Sequence, residues 1–114
     1  MNNRDERRDR YLKDNLQTRL GGLAANLARI SSFVKNPANL EAVKSIIEES
    51  KFFIEWTAAE TEIEKSFELV KLQIDLALLE RKLEVDWSDN ENRDAIGKQA
   101  KLWSKQVLVQ AGLI

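Results

Sequence analysis

Between Ala38 and Ile96 the chain carries neither glycine nor proline, and its apolar residues fall on two sides of a helix. At about 100° per residue, one stripe holds Ile63, Phe67, Val70, Ile74, Ala77 and Leu78. The other holds Leu69, Leu72, Leu76, Leu79 and Leu83. The stripe centres lie roughly 190° apart on the helix wheel. A helix with one apolar stripe rests on a core, whereas a helix with two needs cover on both sides. The pattern predicts an all-α protein whose central helix is not fully covered by its own chain.

An earlier stripe comprises Leu12, Leu16, Leu20, Leu23, Leu27, Ile30 and Val34, spaced by three or four residues, and predicts a first helix over about 5–35. Gly21 and Gly22 interrupt it. Two interior glycines cost roughly 1.5–2 kcal/mol relative to alanine, so a compensating contact is expected. Gly21, Ala25, Ala28 and Ser32 form a stripe of small residues away from the leucines. Such a stripe lets another helix backbone approach closely; a tolerated kink is the alternative.

The segment Lys35-Asn36-Pro37-Ala38-Asn39 predicts a tight turn, with Asn36 as cap and Pro37 at the first helical position. Beyond it, Phe52, Trp56, Ala59, Ile63, Phe67, Val70, Ile74 and Leu78 keep helical step without interruption. This favours one long helix over about 39–86, which would run about 70 Å. The competing signal is a capping box at Thr57/Glu60 or Thr61/Glu64, which would break the chain near 57–61 into an up-down four-helix bundle. Ser88-Asp89-Asn90-Glu91 then starts a last helix over about 89–111, with Ile96, Ala100, Trp103, Val107 and Ala111 on its main face and Gly112 as cap. The expected architecture is thus an antiparallel helical hairpin or bundle with a long central helix, forming one domain over 1–114.

The chain's 114 residues suffice for one hydrophobic core, and 43% hydrophobic with 32% charged residues excludes a disordered chain. Net charge of −1 conceals segregation. Residues 1–35 carry eight basic and four acidic side chains, residues 41–89 six and thirteen, and residues 90–114 four and two. Basic outer helices lying against an acidic central one are the expected consequence. Every residue from Asn2 to Arg10 is charged or an amide, which argues against a secretory leader and for a cytoplasmic protein.

The chain contains no histidine and no cysteine. That removes zinc sites, Ser-His-Asp and Cys-His catalysis and disulfides in their usual forms. No glycine-rich phosphate loop occurs, and no cofactor is expected. Carboxylates remain: Glu60, Glu64 and Glu68, with Asp75 and the Glu91/Asp94 pair, offer a magnesium-dependent nucleotide hydrolase as an alternative. Only the Glu-x-x-Asp half of such a motif is present, so a solvated acidic face is the simpler reading. Arg4, Arg7, Arg8 and Arg10 suggest a nucleic-acid-binding accessory, but Asp5, Glu6 and Asp9 interleave with them. Phe52 and Trp56 form an aromatic pair off the face that carries Val43, Ile47 and Ile54.

The sequence therefore predicts a small non-enzymatic protein that acts through protein–protein association, itself a homo-oligomer, with a dimer preferred. Phe52, Trp56, Ile63, Phe67, Val70 and Ile74 form the expected interface, with Gly21 and Ala25 as a close-contact site. No membrane partner is expected.

Overall fold

Helix-favouring composition and the placement of breakers divide the described residues into five helices, and an all-α bundle forms. The computed structural model describes residues 3–114; Met1 and Asn2, at the start of the polar run, lie outside the described residues. The elements are α1 (Asn3–Lys13), α2 (Leu16–Phe33), α3 (Leu40–Thr57), α4 (Ile63–Trp87) and α5 (Asn90–Gln110), with short 3-10 turns at Pro37–Asn39 and Ala58–Glu60. Helix α2 packs against α3 and α5, α4 packs against the same two helices, and α1 contacts α3. Among the described residues there is no strand, and no helix is long and apolar enough to cross a membrane.

Both long helices expected from periodicity are broken. The first ends at Lys13, and Asn15 caps α2 by accepting the Thr18 amide at 2.8 Å. The supposed 70 Å rod is folded back on itself, so the largest dimension of the molecule is 38 Å. Neither threonine capping box forms at this second break. Instead Thr61 is extended, and both its amide and its hydroxyl donate to the Ala58 carbonyl, at 3.2 and 2.8 Å. The fold-back lets α4 bury Leu69, Leu72, Leu76 and Leu83 against its own chain. At about 1.5–3 kcal/mol per buried leucine, this outweighs the few helical hydrogen bonds lost at the turn.

The turn at Asn36–Pro37 forms as its residues dictate, with the Asn36 side chain accepting the Ala38 amide. Trp87, the last residue of α4, donates its indole N–H to the Pro37 carbonyl at 2.7 Å and so ties the α2–α3 turn to the C-terminal end of α4. Asp89, rather than Ser88, caps α5, accepting from the Glu91 and Asn92 amides. At the other end of α5, Gly112 adopts φ 73°, and the Leu113 amide donates back to the Leu108 carbonyl at 2.9 Å. This is the six-to-one closure that a left-handed residue permits.

Helices α2 and α5 pack closely together. Ser104 donates its hydroxyl to the Ala24 carbonyl at 2.7 Å. Nearby Gly97 sits so close to α2 that an added Cβ would lie 2.9 Å from Val34 Cγ2 and 3.4 Å from the Ser31 carbonyl oxygen.

Candidate association surface

The two stripes of α4 have separate fates. The leucine stripe is core: Leu69, Leu72, Leu76 and Leu83 are buried, and Leu79 packs beside them. The opposite stripe faces solvent, with Ile63 75%, Phe67 71%, Val70 41%, Ile74 56% and Leu78 49% exposed. Val85, 80% exposed, continues it beyond Arg81. The four expected interface residues of α4 thus share one face. One flank of that face is engaged with α3, where Lys51 pairs with Glu80 at 2.8 Å and Lys44 pairs with Glu84. Gln73 on the same flank donates to the Lys51 carbonyl at 3.1 Å.

Phe52 and Trp56 are not part of this surface. They remain stacked on each other, with ring centroids 5.6 Å apart, but α1 covers them. The Arg4 guanidinium lies 5.2 Å from the Phe52 ring centroid, a cation–π contact. Tyr11 stacks on Phe53 at 4.0 Å and tilts against Trp56 at 5.9 Å. The turn at Ala58–Glu60 reorients the chain between Trp56 and Ile63, which is why residues in phase along the sequence part company in space.

Gly21 and Ala25 are likewise apart from the α4 face. Gly21 lies under the chain's own C-terminus, where a Cβ would stand 3.3 Å from Leu113 Cδ1. Ala25, Ala28 and Ser32 are exposed. The close contact expected at the small-residue stripe occurs instead at Gly97, whose signal was a glycine on the core face of a helix, between Ile96 and Ala100.

The charged candidates are dispersed. Arg7 pairs with Glu49 at 3.8 Å and Arg8 with Asp9 at 3.8 Å, so the N-terminal arginines sit among carboxylates. A groove of about 460 Å³ between α1 and α3 is lined by Arg4 and Arg7 on one side and Glu48 and Glu49 on the other, and presents both signs of charge. Glu60 is held by Arg19, through contacts of 2.7 and 3.1 Å. That guanidinium holds the Glu60 carboxyl below its usual range by hydrogen bonding. Glu64, Glu68, Glu91 and Asp94 are exposed. Among the described residues, no three acidic side chains gather where they would hold a metal ion.

Tyr11 joins α1 to the bundle. Its hydroxyl donates to the Arg19 carbonyl at 2.9 Å and accepts from the Thr57 hydroxyl at 3.2 Å. Burial pushes its pKa up to about 12, against a smaller lowering effect of the Thr57 bond. Folding therefore favours the neutral phenol. The associated stability is complete below the unfolded value near 10 and is lost as pH rises from about 10 to 12. Urea unfolding at pH 8, 10 and 11.5 should reveal a loss of up to about 2 kcal/mol. Tyr11→Phe should flatten that slope, and an unchanged slope in the variant would assign the loss to other groups.

Neither a family model, nor a curated protein, nor a solved structure matches this chain.

Proposed function

We propose that this chain is a small helical association module that engages a protein surface through the outer face of α4 and performs no chemistry of its own. The observation that carries this reading is the exposed row Ile63, Phe67, Val70, Ile74 and Leu78. A contiguous row of large apolar side chains is what soluble monomers avoid, and each such side chain contributes about 1.5–3 kcal/mol on full burial. A sequence without histidine or cysteine, and thus without the usual acid–base and nucleophilic groups, supports the non-catalytic half of the proposal.

The test is site-specific photo-crosslinking in cells. A photoreactive phenylalanine analogue placed at Phe67 should give protein adducts of defined mass, while the same group at exposed Lys105 on α5 should not. Equal or absent yields at the two positions would overturn the assignment of this face.

A further inference from the structure

We propose that the occupant of the outer α4 face is a second copy of this chain, packed antiparallel about a two-fold axis near Leu72–Gln73. This rests on the reading of that face as an association surface, and deepens it by naming the partner and its direction.

A single charge interrupts the row. Ile63, Phe67, Val70, Ile74, Leu78, Arg81 and Val85 succeed one another at steps of four, three, four, four, three and four, so Arg81 lies on the midline of an otherwise apolar seam. Parallel, in-register pairing would set Arg81 against Arg81 of the second copy and bury like charges together. Antiparallel pairing sets Val70 opposite Ile74 and Phe67 opposite Leu78. It carries Arg81 to the Ile63–Glu64 end of the second copy, where a carboxylate is waiting.

The other flank of the seam faces away from α3. Along it run two acidic and two basic side chains, Glu64, Lys71, Asp75 and Lys82, with Glu68 beside them. In an antiparallel two-fold pair each flank meets itself reversed. That register brings Glu64 to Lys82 and Lys71 to Asp75, four opposite-charge pairs once symmetry is applied. Among the described residues, none of these four side chains makes an ion pair within its own chain, whereas Glu80 and Glu84 on the other flank are taken by Lys51 and Lys44.

The face is also large enough to hold a second copy. The exposed apolar side chains from Ile63 to Val85 present on the order of 700 Å² per copy, close to the ~800 Å² per partner of a standard stable interface. The charged flank completes it.

The absence of native cysteine makes the register directly readable. Glu64→Cys and Lys82→Cys are both surface substitutions. Each variant alone, treated with a short bis-maleimide linker, should give no cross-linked pair, because like positions lie about 27 Å apart along the antiparallel helices. An equimolar mixture should give the mixed pair. If either single variant cross-links to itself, the copies run parallel and the register is overturned, although the face would stand. A two-chain mass with no cross-link in the mixture would move the contact elsewhere on the molecule. A one-chain mass with no cross-link would overturn self-pairing, and the Phe67 adducts described above would then report whether another protein uses the face.

Discussion

Leu76→Ala should cost about 2–5 kcal/mol of folding free energy, whereas Phe67→Ala should cost less than about 0.5 kcal/mol in the isolated chain. Both residues sit on α4, nine positions apart, and both are large and apolar. They differ in surroundings: Leu76 is fully buried and Phe67 is 71% exposed. Truncating Leu76 leaves a cavity that its neighbours in the core cannot close, and the loss should be equal at every protein concentration. Truncating Phe67 should remove only the stabilisation that depends on chain concentration, since association adds to folding by mass action. Urea unfolding of the native chain and both variants, each at two concentrations a hundredfold apart, separates these effects. Equal losses for the two variants would mean that α4 does not have one inner and one outer face.

Gly97→Ala should destabilise the bundle by about 1–2 kcal/mol, although alanine is the better helix former. The new methyl group would lie 2.9 Å from Val34 Cγ2, and Val34 is a stiff, β-branched residue only 2% exposed, with the Ser31 carbonyl close behind. Neither neighbour can withdraw without separating α2 from α5. The matched control is Gly22→Ala, where nothing lies within 4 Å of the added carbon. That substitution should stabilise by about 0.5–1 kcal/mol through helix propensity alone. Thermal unfolding of the two variants should shift in opposite directions. A stabilised Gly97→Ala would show that α2 and α5 are not locked at this point.

Periodicity reported phase faithfully but not continuity. Leu12 to Leu16, and Trp56 to Ile63, both span helix breaks while keeping helical step, so neither break was visible in the apolar pattern. As a result Tyr11, not Leu12, is the buried residue of α1, and Leu12 is 40% exposed. The signals that did locate breaks were chemical: Asn36 with Pro37, and Asp89 ahead of α5, each place a side-chain acceptor over free amides. The two-sidedness of α4 was legible because both stripes lie within one unbroken helix. What covers a surface was not, because it depends on contacts remote in sequence. Trp87 meets Pro37 fifty residues away, and the cover on Phe52 and Trp56 comes from α1. Break positions and remote contacts decided which predicted interface residues ended on one face.

Sedimentation equilibrium over micromolar to submillimolar concentrations measures most directly whether the outer face of α4 meets a second copy. The native chain should approach the mass of two 13.1 kDa chains. Phe67→Glu with Ile74→Glu should sediment as one chain of unchanged helicity, because both side chains are exposed and their replacement leaves the core intact. A native chain that stays at 13.1 kDa across the whole range would contradict the account.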